Sequence, residues 1–151
     1  MRATTNNLAT QPGLGNEASD IDVYKVWEFF SYAWTEIGIE GSECDSLARE
    51  ARVTANNLNQ VDRIFFRDVC ASFAVDSFLI FPLMLWVIMP EWGYAENYLR
   101  NRVRRWYEKP YWMHFVNPFR ILGYPIAVLF AFSYRSKIRR SAVANADRPA
   151  P

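Results

Sequence analysis

Histidine, cysteine and glycine are all scarce in this chain, and each scarcity removes a class of chemistry. His114 is the single histidine among 151 residues, so no multi-histidine metal site can be built. The two cysteines, Cys44 and Cys70, have neither CxxC spacing nor a neighbouring histidine, which argues against a zinc site or a disulfide scaffold and for two buried, unreactive thiols. Six glycines stand singly, and no Gly-rich phosphate loop, GxSxG elbow, HExxH pair or EF-hand loop occurs. The acid pairs Glu40 with Glu43, and Asp62 with Asp68, fall on predicted helix surfaces beside arginines and read as solvated ion pairs. Catalysis needs several convergent groups, so the chain is not expected to be an enzyme, and no metal or organic cofactor is expected.

What the chain does have is charge asymmetry and aromatic side chains. A net charge of +1 conceals two unlike halves: residues 1 to 90 hold six Lys/Arg and twelve Asp/Glu, whereas residues 91 to 151 hold eleven and four. Such a split suggests different surroundings for the two halves. Aromatic residues make up 17% of the chain, and Trp and Tyr favour the boundary between membrane and water. Trp86 and Trp92 flank one apolar run, while Trp106, Tyr107, Tyr111, Trp112, Tyr124 and Tyr134 surround a second.

Hydrophobic periodicity divides the chain into six segments. Residues 1 to 18 are acid-poor and small, lack an apolar signal core, and read as an extended arm or weak targeting segment. Residues 19 to 68 form a helical region outside the membrane. Its first helix is capped by Ser19 and has Val23, Val26, Trp27, Phe30, Trp34 and Ile37 on one face. Its second runs from Asp45 through Phe65 without a breaker. Trp27, Phe29, Phe30, Tyr32 and Trp34 are too bulky a set for one small helix to bury against its own chain, so Trp27, Phe30 and Trp34 are expected to meet a partner protein.

Residues 69 to 90 contain the first apolar run, Val69 to Met89, which as a helix would reach about 31 Å and could span a bilayer or lie in its interface. Asp76 is costly inside it, by about 2.5 to 3.5 kcal/mol, and is expected at the interface or paired with an arginine of a neighbouring subunit. Pro82 would kink it. Residues 91 to 118 hold a short amphipathic helix with Tyr94, Tyr98, Leu99, Val103 and Trp106 opposite a basic face, then an aromatic linker fenced by Pro110 and Pro118. Residues 119 to 136 contain the second apolar run, Ile121 to Tyr134. At fourteen residues, about 21 Å, that run needs snorkelling Arg120 and Arg135 to approach a hydrocarbon core of about 30 Å. Residues 137 to 151 read as a basic, extended tail.

The resulting expectation is an all-α membrane protein with one or two transmembrane helices and a basic interfacial helix. Arg100, Arg102, Arg104, Arg105 and Lys109 are expected to bind anionic lipid headgroups such as cardiolipin, each gaining about 1 kcal/mol near lipid phosphates. If both apolar runs span, the basic loop between them should face the inside of the membrane system and the acidic N-terminal part the opposite side with the C-terminus; if Val69 to Met89 only lies in the interface, the N-terminal part should instead be inside.

The string Arg105-Trp-Tyr-Glu-Lys-Pro-Tyr-Trp, the run Ile121 to Tyr134 ending in Phe132-Ser133-Tyr134, and the basic residues Arg135 and Lys137 together resemble subunit f of mitochondrial ATP synthases over about 40 residues. The resemblance implies a noncatalytic subunit in the membrane region of that enzyme, located in the mitochondrial inner membrane and partnered by other subunits and anionic lipid. An accessory subunit of respiratory complex I or cytochrome c oxidase is the alternative. A narrower resemblance, Arg104-Arg105-Trp-Tyr-Glu-Lys-Pro, is to a small-subunit ribosomal protein family and would put Arg104, Arg105 and Lys109 on RNA phosphates. The apolar continuation after Pro110 argues against it, and no nucleic acid is expected.

Overall fold

The computed structural model describes residues 21–146, and those residues are helical with no strand. The expected arm at residues 1–18, the Ser19 cap and the last residues of the tail lie outside that range. The first described helix, α1 (Val23–Ser31), is capped by Asp22, whose carboxylate accepts the backbone N–H of Lys25 at 3.1 Å. A 3₁₀ turn, Tyr32–Trp34, follows.

The next helix, α2 (Ser42–Glu50), ends where the sequence pattern alone suggested continuation. Arg52 takes φ 55°, the Val53 N–H reaches the Ala48 carbonyl, and the Arg52 N–H reaches the Arg49 carbonyl, which is a Schellman stop. Thr54 and Asn57 then form a reciprocal capping box that restarts the chain as α3 (Leu58–Arg63). A π segment, Ile64–Val69, and a short turn, α4 (Cys70–Ser72), carry it on to α5 (Ala74–Ile80). After a long loop come α6 (Glu96–Glu108), a 3₁₀ turn at Tyr111–Phe115, and α7 (Pro118–Ala146).

Among the described residues no helix is long and apolar enough to cross a membrane, which corrects the expectation of transmembrane helices. The apolar run at residues 69–89 is not one rod. Its last continuous piece, α5, has seven residues, about 11 Å; Phe81 caps it, Pro82 follows the cap, and Met84 then adopts φ 52°. The opposite limit applies to α7. Its 29 residues reach about 43 Å, but they carry Arg120, Arg135, Lys137, Arg139 and Arg140.

The basic flank of α7 is engaged within the chain instead of snorkelling to lipid. Arg135 makes a bidentate pair with Asp62 at 2.8 and 2.9 Å, and Arg139 bonds the same carboxylate. Lys137 donates to the Ile39 carbonyl at 2.9 Å. Burial would raise the Asp62 pKa, but the hydrogen bonds from Arg135 and Arg139 outweigh it and hold the carboxyl below its ordinary range. The expected extended tail is likewise corrected, because helix persists to Ala146 with Ile138, Ser141 and Ala142 buried.

The core is aromatic and centres on α1. Trp27, Phe29, Phe30 and Trp34 are all fully buried within the chain, so Trp27, Phe30 and Trp34 are not free to meet a partner protein as expected. Several elements converge on this short helix and cover different sides of it. Trp27 sets its edge against Trp106 of α6, Phe30 meets Phe65 of the π segment at 4.7 Å, and Phe29 meets Tyr134 of α7. Trp34 stacks on Phe73 at 4.3 Å, and its indole N–H donates to Ser77 Oγ at 2.7 Å. Cys44 and Cys70 are buried, and burial pushes both thiols above their ordinary pKa.

The helix pair α5 and α7 sets the position of the basic segment. Gly123, Ala127 and Ala131 line the buried side of α7 at four-residue spacing. At Gly123 the backbones approach so closely that a Cβ would lie 1.8 Å from the Ala74 carbonyl oxygen. This contact holds the first turns of α7, including Arg120, beside the end of α4.

Candidate anion-binding site

Helical spacing sorts the four arginines of the interfacial segment, Arg100, Arg102, Arg104 and Arg105, onto two faces of α6. Arg100 and Arg104 lie outside the cleft described below and form surface pairs one turn away, Arg100 with Glu96 at 2.7 Å and Arg104 with Glu108 at 3.6 Å. The Arg100 guanidinium also lies 4.3 Å from the centre of the Tyr24 ring. These two side chains therefore differ from the expected headgroup set. Tyr98, Arg102 and Arg105, at steps of four and three, face a cleft, and Lys109 follows just past the helix end.

The cleft has a volume of about 340 Å³ and is lined by Ser72, Tyr98, Asn101, Arg102, Arg105, Trp106, Lys109, His114 and Arg120. Four cations and no carboxylate are in this lining. One of the four is already engaged. Arg102 donates to Ser72 Oγ at 2.9 Å, to the Ser72 carbonyl at 2.7 Å, to the Tyr98 hydroxyl at 2.7 Å and to the Asp76 carboxylate, and lies 3.8 Å from the centre of Phe73. Burial opposes its charge, but Asp76 more than compensates, so its pKa stays raised. Asp76, expected to pair with an arginine of a neighbouring subunit, pairs instead with this arginine of its own chain.

Arg120 enters the cleft from the first turn of α7. Its Nη1 lies 3.2 Å from His114 Nδ1 and 3.4 Å from the His114 carbonyl, while its buried Nε has no hydrogen-bond partner. Burial and then the charge of Arg102 lower the Arg120 pKa, with Asp76 pulling the other way. Thus Arg120 is a partly desolvated cation short of negative charge. Arg105 and Lys109 have no carboxylate partner among the described residues.

His114 forms the end wall of the cleft. It stacks on Trp106 at 3.6 Å, and its Nε2 is 3.0 Å from the Trp106 carbonyl. With Arg120 donating to Nδ1, the proton is assigned to Nε2, which donates to that carbonyl. Burial first, and the charges of Arg120 and Lys109 in addition, lower the pKa of the imidazole and favour its neutral form.

Below the cleft, Asp68 fixes α6 in place. This carboxylate is 1% exposed and accepts from Arg67 Nε at 2.8 Å, Trp106 Nε1 at 3.1 Å and the Tyr107 hydroxyl at 2.9 Å. It is not the solvated surface acid that its sequence neighbourhood suggested. Sequence reasoning brought Arg102, Arg105 and Lys109 to the site but missed Ser72, His114 and Arg120. Pairing Glu96 with Arg100, and Arg104 with Glu108, at i to i+4 is the sequence signal that would have set Arg100 and Arg104 aside.

An exposed aromatic border adjoins the cleft. Tyr111, Trp112, Met113, Phe115, Val116 and Phe119 are exposed, and Ile121, Leu122, Leu129 and Phe132 continue the apolar surface along α7. Leu83, Met84, Val87 and Trp92 add a second exposed segment, with Met84, Val87 and Trp92 each at least 76% exposed. The Phe81 ring sets its edge against Phe130 of α7 at 6.3 Å. No family model, curated protein or solved structure was found to match this chain.

Proposed function

We propose that this chain is a noncatalytic structural component seated on the surface of an anionic membrane, where it helps assemble and stabilise a larger energy-transducing complex. The observation that carries the reading is the adjacency of uncompensated cations and exposed large apolar side chains. Arg105, Lys109 and Arg120 line the cleft together with His114, and the exposed Tyr111, Trp112, Met113 and Phe115 stand on either side of His114 in the same turn, an arrangement suited to phosphate above and acyl chain below.

An apolar surface of this extent is unfavourable in water and calls for a cover. A bilayer interface provides one without a spanning helix, since aromatic rings lodge at headgroup depth and basic groups reach lipid phosphates. The resemblance to subunit f supports a place at the membrane region of an ATP synthase in the mitochondrial inner membrane, with cardiolipin as the structural lipid and other subunits as partners. The first apolar stretch then contributes exposed loop side chains to the seat.

Co-sedimentation with vesicles tests this reading. Neutral phosphatidylcholine vesicles are compared with vesicles containing cardiolipin. Each free cation near an anionic surface contributes about 1 kcal/mol, so the chain should bind the anionic vesicles at least about tenfold more tightly. High salt should weaken that binding through screening. Equal partition to both vesicle types, or none to either, would overturn the seat.

A further inference from the structure

A diffuse positive surface attracts any anionic membrane, but the cleft between α6 and α7 is more specific in shape and charge. Its cations converge from two directions: Arg105 and Lys109 from the end of α6, and Arg120 from the start of α7. Asp76 is occupied by Arg102 behind the lining, so it does not oppose an incoming anion at close range. Another cleft, lined by Glu40, Asp45, Lys137 and Arg140 among others, carries both signs and has no such surplus.

We propose that the α6–α7 cleft is a stoichiometric site for the phosphate of a glycerophospholipid headgroup, held by Arg105, Lys109 and Arg120. A phosphate presents oxygens in several directions and can accept from all three cations together, whereas a single carboxylate is matched best by one planar guanidinium. Asn101 lines the same space and supplies a side-chain amide to a headgroup oxygen. Arg120, whose hydrogen bonds among the described residues go to His114 and to no carboxylate, gains a counter-anion in this arrangement.

The exposed aromatic segment decides the source of the phosphate. It begins at Tyr111, two residues after Lys109, and contains His114 of the lining, so exposed Tyr111, Trp112 and Phe115 belong to the same short turn as the cleft wall and offer apolar contact to the glycerol and acyl part of a lipid. A free phosphate ion has no use for that border. Lipid as the source rests on the membrane seat proposed above, whereas the phosphate site rests on the cleft alone.

Two double variants of the full chain separate a pocket from general electrostatics. Arg105→Gln with Lys109→Gln removes two exposed cations of the lining. Arg100→Gln with Arg104→Gln removes the same charge from surface pairs outside it. The chain is incubated with cardiolipin-containing vesicles, extracted in mild detergent and assayed for retained phospholipid by native mass spectrometry. In parallel, inorganic phosphate is titrated into detergent-free protein by calorimetry.

The native chain should retain about one phospholipid per molecule, the cleft variant should lose at least about tenfold in retention, and the surface variant should match the native chain. Equal loss in both variants, with vesicle binding preserved in the native chain, would overturn the pocket and leave the seat standing. Tight inorganic phosphate binding that only the cleft variant loses, together with no lipid binding, would keep the phosphate site but overturn its lipid source and the membrane seat.

Discussion

Gly123→Ala is expected to destabilise the fold by about 3 kcal/mol, although local helix propensity predicts the opposite. In an isolated helix, alanine is favoured over glycine by about 1 kcal/mol. Here the added Cβ would lie 1.8 Å from the Ala74 carbonyl oxygen and 2.7 Å from its carbonyl carbon, which are backbone atoms of α5. No rotamer change relieves that overlap, so the helices must separate. Overpacking typically costs about 1 to 3 kcal/mol, and contact with rigid backbone places this site at the upper end. The net loss should lower the melting temperature by roughly 6 to 12 °C. Because Arg120 lies three residues before Gly123, the same separation should weaken phosphate binding in the cleft. Thermal unfolding followed by circular dichroism checks the first effect, and an unchanged or raised melting temperature would refute the close helix approach.

Asp68→Ala should also destabilise the fold, by about 2 kcal/mol. The substitution strands the Trp106 indole N–H and the Tyr107 hydroxyl, both of which donate to this buried carboxylate. The buried Trp106 donor costs about 1 to 3 kcal/mol when orphaned, while Arg67, 37% exposed, and Tyr107, 48% exposed, can turn to water and recover hydration. Asp68→Asn should be milder, because its amide oxygen can still accept from Trp106 and its amide N–H can donate to the Tyr107 oxygen. Urea titration should therefore rank the native chain above Asn and Asn above Ala. A loss below about 0.5 kcal/mol for Ala would mean that Asp68 does not hold α6 to the π segment.

These two sites also show where sequence patterns stop informing. Leu99, Val103 and Trp106 recur at helical spacing, and in α6 Leu99 and Trp106 are buried with Val103 partly so. The depth of Asp68 has no comparable local signal, since its neighbours Arg67 and Phe66 suit either a surface or a core. Its partners on α6 lie 38 and 39 residues away. Similar distance hides Asp62 with Arg135 and Asp76 with Arg102, so their cations look available to lipid until the chain is folded.

The apolar run at residues 69–89 failed for a different reason. Hydropathy measures transfer from water and is blind to the backbone at Phe81, Pro82 and Met84, where the helix stops. The aromatic burden of α1 was visible, but not the convergence of α6, the π segment and α7 that buries it. Of the cleft, the α6 side could be read from the basic residues and their spacing. Arg120 comes to it from the start of α7, which packs on α5 through the close contact at Gly123, and His114 is held there by its stack on Trp106.

Side-specific labelling on intact vesicles tests the surface seat most directly. Arg104→Cys and Ala144→Cys place single new thiols on exposed positions before and after the second apolar run, while the native Cys44 and Cys70 are buried. With protein bound from outside, a membrane-impermeant thiol reagent should modify both new cysteines fully without detergent. Modification of one, with the other reacting only after the vesicles are dissolved, would show that the intervening chain crosses the bilayer and would contradict the account.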